Sequence, residues 1–252
     1  MNILIVHKDK ECAEVEKIKK DFSDHNIKSK WKNFLSKSDL KEIELVISIG
    51  GDGTFLSASH FVENMLMLGV NSNHEKSEGA LTTIKLEELN KKLSEILNKN
   101  YKIKEYTREI ICILKNDRCI RTEHALNEIF FGNINPHHPS AYLLNYKNKE
   151  ESQKSSGVLV STGTGSTAWY KSMGGWPFSR TKKQLRFRIR EPFRGRIHKP
   201  EVIKGKINPE EKLIITSKTH HGLIAIDSIR TYEVNLDDKI EISIGPSLKV
   251  IQ

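Results

Sequence analysis

The segment Gly50-Gly51-Asp52-Gly53-Thr54 has the residue types best suited to chemistry. It follows the apolar run 44–49, which predicts a buried strand. Glycines let backbone N–H groups approach a phosphate without Cβ clashes, and a following helix N-terminus adds partial positive charge. A carboxylate there can accept a proton from an attacking hydroxyl or help to hold Mg²⁺. The alternative is an ordinary turn in which Asp52 caps a helix.

A second segment, 161–175, combines six hydroxyl residues with glycines. Gly163, Gly165 and Ala168 have the spacing of the dinucleotide fingerprint G-x-G-x-x-A. That fingerprint belongs to the first strand–helix–strand unit, whereas this one lies amid β-type sequence past the middle of the chain. We therefore expect a polar loop folded around a ligand, with Trp169 or Tyr170 beside a ring system or in the core.

The pair Asn127-Glu128 precedes the apolar run 129–131. An adjacent amide and carboxylate can hydrogen-bond the vicinal hydroxyls of a sugar. Such a pair is also common in plain turns, so the pair alone does not define a site.

Histidines and cysteines give no metal or redox motif. The pairs His137-His138 and His220-His221 lack any accompanying zinc-ligand pattern, so we assign no direct protein ligand to a metal. Three cysteines are an odd number without a C-x-x-C pair, which argues against a disulfide framework. We expect Cys12, Cys112 and Cys119 to be packed or idle.

The chain has 252 residues and a formal net charge of +9. All of that excess lies in 178–206, where eleven Lys or Arg residues oppose Glu191 and Glu201. A focused basic window indicates a polyanionic partner or a solvated basic face. Phe187 and Phe193 are too few for a base-stacking platform, which argues against nucleic acid as the partner.

The pattern of predicted secondary structure changes near residue 100. Buried strands over 2–6 and 44–49 alternate with helical patterns over 9–25, 54–64 and 85–99, which indicates a parallel sheet. Residues 101–252 contain short β-rich runs separated by turns, which is typical of an antiparallel sandwich. We predict an α/β phosphate-binding domain over 1–100 and an all-β, sandwich-like domain over 101–252. Roughly the last 20 residues are expected to be able to pack back on the first domain.

Nothing in the sequence indicates a membrane or export. No apolar run reaches the roughly 18 residues of a membrane helix. The N-terminus resembles neither a signal peptide nor a transit peptide, so we expect a cytoplasmic protein.

Taken together, 50–54, Asn127-Glu128 and 163–175 resemble, in this order, the NAD kinase family. Gly69-Val70-Asn71 is also similar to a strand end of that family. The resemblance is nearest to the mitochondrial-type branch, through three shorter segments: Ser77-Glu78-Gly79, 153–157 and 189–192.

The resemblance implies an α/β nucleotide-binding domain joined to a β-rich domain, and transfer of the ATP γ-phosphoryl group to the 2′-hydroxyl of the adenosine ribose of NAD. It implies that Asp52 is the base, and that the surrounding backbone holds ATP phosphates with Mg²⁺ (Gly50, Gly51, Gly53, Thr54). The NAD-binding positions it implies are Asp52, Gly53, Asn127, Glu128, Lys154, Ser156, Thr167, Ala168, Trp169 and Ser172. It also implies a homodimer or homotetramer.

The sequence departs from the family pattern at several places. Ser156 stands where many members have Asp, and Trp169 where many have Tyr. The family pattern does not explain 178–206, for which we hypothesise that Arg188 or Arg190 borders the dinucleotide site or a subunit contact. The sequence leaves open polyphosphate as donor and NADH as acceptor. Alternatives are a lipid kinase, which shares the Gly-Gly-Asp-Gly-Thr motif, and a non-catalytic NADP-binding or nucleic-acid-binding protein.

Overall fold

A computed structural model describes residues 1–8, 13–74, 79–196 and 199–252. The chain forms two compact units, one of residues 1–105 with 248–252 and one of residues 106–247. Among the described residues, no helix has both the length and the apolar character needed to cross a bilayer.

The described elements are mostly strands. In chain order they are β1 (Asn2–His7), β2 (Asn26–Trp31), β3 (Leu45–Gly50), β4 (Leu66–Asn71), β5 (Ile84–Lys85), β6 (Ile103–Tyr106), β7 (Glu109–Lys115), β8 (Arg118–Ala125), β9 (Glu128–Asn133), β10 (Ser140–Tyr146), β11 (Lys149–Ser155), β12 (Gly157–Ser161), β13 (Leu185–Arg190), β14 (Lys204–Ile207), β15 (Leu213–Ser217), β16 (Gly222–Ile226), β17 (Arg230–Val234), β18 (Lys239–Ile244) and β19 (Leu248–Ile251). The α-helices are α1 (Ala13–Asp21), α2 (Asp52–Ser59), α3 (Leu89–Leu97) and α4 (Trp169–Ser172).

The first unit is built on one sheet with strand order β2-β1-β3-β4-β19-β6, and β5 also pairs with β4. Strands β1 to β5 pair in parallel, as do β4 and β19. Strand β3 is buried along its whole length, because helices pack against the sheet through apolar residues such as Val15 and Leu93. In a parallel sheet the carboxyl ends of β1, β3 and β4 share one edge, which is where such folds bind ligands.

The second unit is a sandwich of two antiparallel sheets in the described part of the chain. Their strand orders are β11-β10-β15-β18-β7-β8 and β14-β13-β12-β9-β16-β17. Alternate residues of both sheets face a shared apolar core that includes Ile111, Phe131, Tyr142, Phe187 and Ile240. The period-2 burial follows from strand geometry and leaves the second face of each sheet for other contacts.

The predicted fold class is confirmed: an α/β unit and a β-rich, sandwich-like unit. The structure differs in two details. The helices predicted over 54–64 and 85–99 are shorter, and the sequence pattern did not predict β2, which is a polar edge strand. Residues 9–12, within the helix predicted over 9–25, lie outside the described part, as do Ser77 and Glu78. Residues 248–252 join the first unit through β19. That the units bind ATP and NAD, respectively, stays a prediction.

The expectation against disulfides is wrong for one cysteine pair. Cys112 and Cys119 are bonded across the β7–β8 hairpin, with Cα atoms 6.0 Å apart. The hairpin turns at Asn116 and Asp117, both with positive φ. Cys119 pairs with Leu114, so it lies diagonally across the two strands from Cys112. An odd cysteine count therefore did not preclude a pair. Cys12 lies outside the described residues.

Candidate active site

The glycine-rich segment lies at the carboxyl edge of the first unit's sheet. Strand β3 ends at Gly50, opposite Asn71 at the end of β4, and α2 begins at Asp52. The N-cap of α2 is Gly51, so the alternative in which Asp52 caps the helix is wrong. The first backbone N–H groups of a helix have no acceptor within it, and they are suited to bind an anion.

Gly50 is required by close packing inside this loop. Its φ is +158°, and a Cβ there would lie 2.4 Å from Thr54 Oγ1. Thr54 itself is buried, with 2% exposure. The glycine thus lets the first turn of α2 fold back tightly on the end of β3.

The carboxylate of Asp52 is held by two backbone groups from a later part of the chain. Oδ2 accepts a hydrogen bond from Ala80 N at 3.0 Å, and Oδ1 accepts one from Leu81 N at 2.8 Å. These contacts fix the orientation of both oxygens, and each oxygen keeps a second lone pair for a ligand.

A cavity of about 370 Å³ opens in front of this loop. It is lined by residues 51–54 and 71–73 together with Lys8 and Lys32. The two lysines were missed by sequence reasoning, although Lys8 directly follows β1 at the same sheet edge. A cavity that combines helix N–H groups with two ammonium groups is suited to a polyphosphate.

In the second unit, Asn127 and Glu128 are held by a residue that sequence reasoning missed. Asp227 accepts backbone hydrogen bonds from Leu126 N (2.9 Å), Asn127 N (2.7 Å) and Glu128 N (3.1 Å). Its own N–H donates to Glu128 O at 2.9 Å. Asp227 is buried and lies 100 residues from Asn127 along the chain, so only the Asp-Ser turn after β16 hinted at it.

Burial controls the protonation of Glu128, whose side chain is 4% exposed. Loss of solvation, with a smaller contribution from the Asp227 charge, raises the pKa of Glu128 to about 8. The same burial, reinforced by the charges of Asp227 and Glu128, raises the pKa of the fully buried Glu109 well above its usual range. A protonated Glu128 carries an O–H donor as well as acceptors, which suits a ribose hydroxyl.

We expect the raised pKa of Glu128 to make folding stability pH-dependent. The folded state keeps a proton that the unfolded chain releases above its ordinary pKa of 4.5, so stability falls as pH rises from 4.5 to about 8. Glu128→Gln should reduce this slope, because the amide does not titrate, while Glu109 continues to contribute. Urea unfolding across this pH range measures the effect, with the exposed Glu233→Gln as a matched control. Equal slopes in wild type and Glu128→Gln would contradict the assignment.

The second glycine-rich segment packs directly on Asn127. Thr162 N donates to Asn127 O at 3.0 Å, and Thr162 Oγ1 accepts from the backbone N–H of Thr164 and Gly165. Residues 161–166 are all buried, so this part of the segment is a structural support and not an open loop.

Gly165 has no room for a side chain, since a Cβ there would lie 2.1 Å from Asn127 O. We expect Gly165→Ala to lower the free energy of unfolding by about 1–3 kcal/mol, because the Asn127 backbone must move. Gly53→Ala is the matched control, since its Cβ meets no atom within 4 Å. Urea unfolding measures both, and equal stabilities would contradict the predicted clash.

The remaining predicted residues of this segment are more accessible. Thr167, Ala168 and Ser172 are exposed, whereas Trp169 packs on Phe130 with ring centroids 4.8 Å apart. A cavity of about 620 Å³ is lined by Trp169 and Ser172 together with residues 188–192 of the basic window. The structure therefore brings Arg188 and Arg190 beside two of the residues assigned to NAD.

Lys154 and Ser156 are not beside Asn127 and Glu128. In the sheet, Ser161 at the end of β12 pairs with Glu128, whereas Ser156 precedes the start of that strand. Five residues of strand separate the two ends by roughly 17 Å. The Ser156 hydroxyl donates to Glu191, and Lys154 is exposed. The hydrogen bond from Ser156 and the charge of Arg190 lower the pKa of Glu191.

In the described part of the chain, no group of three or more His, Cys, Asp and Glu side chains is arranged to hold a metal ion. Carboxylates gather at Glu109, Glu128 and Asp227, but Asp227 is engaged by backbone N–H groups.

The chain is similar to known proteins in sequence and in fold. The family model of the ATP-NAD kinase N-terminal domain matches residues 4–101. An NADH kinase of Arabidopsis thaliana is 30% identical over 241 residues, covering 84% of this chain and 74% of that protein. The crystal structure of yeast NADH kinase complexed with NADH has a TM-score of 0.81 at 17% identity, covering all of this chain and 83% of that one. An NAD kinase from Archaeoglobus fulgidus in complex with ATP has a TM-score of 0.76 at 20% identity, covering all of this chain and 94% of that one.

The chain belongs to the NAD kinase family.

Proposed function

We propose that the protein transfers the γ-phosphoryl group of ATP to the 2′-hydroxyl of the adenosine ribose of NAD, forming NADP. Family membership supports the reaction class. The observation that carries the proposal is the position of Asp52, held by two backbone N–H groups beside a cavity with Lys8 and Lys32.

In the proposed reaction the ribose oxygen attacks the γ-phosphorus and the bond to the β-phosphate oxygen breaks, so ADP leaves. Asp52 accepts the hydroxyl proton through a free lone pair of its carboxylate. The N–H groups at the start of α2, with Lys8 and Lys32, hold the phosphates and offset their charge.

Mg²⁺ fits this cavity as a partner of ATP. Among the described lining residues, Asp52 is the one carboxylate, and Asn71 adds an amide oxygen. Mg²⁺ is commonly held by one or two carboxylates together with substrate phosphates. When bound, the ion supplies charge neutralisation on the transferred phosphoryl group.

For the acceptor, we assign Asn127 and Glu128 to the ribose hydroxyls. We assign Trp169 and Ser172, which line the cavity of about 620 Å³, to other parts of NAD. The polar side chains assigned to the acceptor, those of Asn127, Glu128 and Ser172, favour a dinucleotide over the apolar tail of a lipid.

Ser156 donates a hydrogen bond to Glu191, which lines the same cavity as Trp169 and Ser172, so Ser156 lies beside that cavity within one copy of the chain. A homodimer or homotetramer is the assembly that the family resemblance implies. Sedimentation velocity tests the assembly. A cytoplasmic location stays a prediction.

NADH is a second candidate acceptor, because the Arabidopsis relative is named an NADH kinase. A coupled assay of NADP or NADPH formation decides the acceptor, with ATP·Mg²⁺ as donor and NAD or NADH present. Parallel reactions replace ATP with polyphosphate, or NAD with diacylglycerol or sphingosine. We expect NADP formation that requires ATP and Mg²⁺. Phosphorylation of the lipid alone would overturn the proposal, as would tight NADP binding without turnover.

A further inference from the structure

The basic window 178–206 forms a two-strand ladder of cations at one edge of a sheet. In the register of β13 and β14, Arg186 lies opposite Lys206 and Arg188 opposite Lys204. The alternate residues Leu185, Phe187 and Ile189 enter the core, so these four side chains share the outer face. Like charges directly opposite on neighbouring strands repel each other, and a bound anion would relieve that repulsion.

The ladder has no acidic partner among the residues that the structure describes. No described carboxylate lies within 4.0 Å of the four charged groups, whereas nearby cations such as Lys147 and Lys149 are paired with Glu211 and Glu201. Arg186 instead donates to Trp176 O at 3.1 Å and to Gln184 Oε1 at 3.3 Å. The charge of the ladder is therefore available to a ligand.

A cavity of about 450 Å³ lies over the ladder. Within the described part of the chain its lining contains five cations and no carboxylate, the cations being Lys147, Arg186, Arg188, Lys204 and Lys206. Trp176 also lines it and is 82% exposed, which is unusual for so large an apolar side chain. The volume is within the range of small-molecule sites.

Tyr146, which comes from the other sheet, lines this cavity and contacts β14. Tyr146 Oη donates to Lys206 O at 2.8 Å and accepts from Lys206 N at 3.1 Å. A Cβ at Gly205 would lie 2.4 Å from the Phe187 ring and 2.7 Å from Tyr146. Because Tyr146 occupies both backbone groups of Lys206, the β14 edge cannot pair there with another strand, which argues against docking of a second sheet.

We propose that this cavity is a second nucleotide site, which binds a nucleoside diphosphate or triphosphate with its base on Trp176 and its phosphates on the ladder. An aromatic face next to clustered cations matches a base joined to phosphates. Arg188 also lines the cavity that holds Trp169 and Ser172, so a ligand here would adjoin that cavity without occupying it. The inference does not depend on the proposed reaction.

ADP titration with tryptophan fluorescence tests the site. Because ADP is also expected to bind the Asp52 cavity near Trp31, the signal of interest is the component of the ADP-dependent change that wild type shows and Trp176→Phe lacks. We expect the affinity read from this component to be at least about tenfold weaker in Lys204→Glu/Lys206→Glu, since two attractive charges become repulsive.

Lys204→Arg/Lys206→Arg should retain binding. Lys102→Glu/Lys104→Glu, an equal charge change on exposed lysines of the first unit, should bind like wild type. Unchanged ADP affinity in Lys204→Glu/Lys206→Glu would overturn the site.

Two further probes distinguish the ligand class. Inorganic tripolyphosphate should bind more weakly than ADP, and Trp176→Ala should weaken ADP roughly 5- to 100-fold while leaving tripolyphosphate unchanged. Equal affinities for ADP and tripolyphosphate, or much tighter binding of a single-stranded RNA oligonucleotide, would overturn the nucleotide assignment. If the protein forms NADP but shows no Trp176-dependent fluorescence change with ADP, this second site is refuted and the proposed function is not. If the protein shows that fluorescence change but forms no NADP, the proposed function is refuted and this site is not.

Discussion

Replacement of Asp52 by Asn is expected to reduce kcat by about 10²–10⁴-fold, because the amide cannot take the proton of the attacking hydroxyl. The fold should persist. An Asn side chain keeps one oxygen to accept from Ala80 or Leu81 and loses the other acceptor, so the unfolding free energy should fall by only about 1 kcal/mol. The measurement is steady-state NADP formation together with urea unfolding.

Asp24→Asn serves as the control, because it makes the same chemical change at an exposed position of the same unit. It should leave both kcat and stability at wild-type values. The KM for ATP in Asp52→Asn should change far less than kcat if the residue acts on the proton. An Asp52→Asn enzyme with wild-type turnover would remove Asp52 from the mechanism.

Replacement of Asp227 is expected to disorder the Asn127-Glu128 segment. Asp227→Ala removes the acceptor of three N–H groups, of which those of Leu126 and Glu128 are buried and that of Asn127 is partly buried. A buried N–H group left unsatisfied costs about 1–3 kcal/mol. The variant should therefore lose several kcal/mol of stability or fail to fold. Asp227→Asn keeps one acceptor oxygen and should fold with a smaller loss.

In Asp227→Asn, the KM for NAD should rise roughly tenfold or more while the KM for ATP stays constant. Small displacements of the groups that position a substrate reduce enzyme efficiency by large factors. Loss of the Asp227 charge should also lower the pKa of Glu128 from about 8. The pH range over which stability falls would then end at a lower pH. Asp237→Asn, at an exposed residue, is the control. An unchanged KM for NAD and an unchanged pH profile would show that Asp227 does not position this pair.

The sequence identified the parts of the candidate site that consist of contiguous residues. The loop 50–54 and the segment 161–175 are contiguous runs rich in glycine and polar residues that can be recognised along the chain, although Gly165 serves the close approach of the distant Asn127. The alternation of buried strands and helices likewise predicted the α/β and β-rich units. These features depend on short-range periodicity and steric limits, which neighbouring residues in the sequence determine.

The sequence could not identify residues whose role depends on distant contacts. Lys8 and Lys32 reach the Asp52 cavity because β1 and β2 lie in the same sheet as β3. Asp227 reaches Asn127 because β16 pairs with β9. Such partners lie tens of residues away and leave no local pattern, so only strand pairing reveals them.

By itself, then, the sequence indicated the family through the resemblance of its motifs. It also determined the two kinds of unit and the glycine-rich loops, because these follow from local composition and periodicity. The tertiary structure decided the rest. In the tertiary structure Cys112 is bonded to Cys119, and Glu128 is buried beside Asp227. Four cations of the basic window face each other on β13 and β14. Each of these depends on strand register, which sets which side chains meet and which are removed from water.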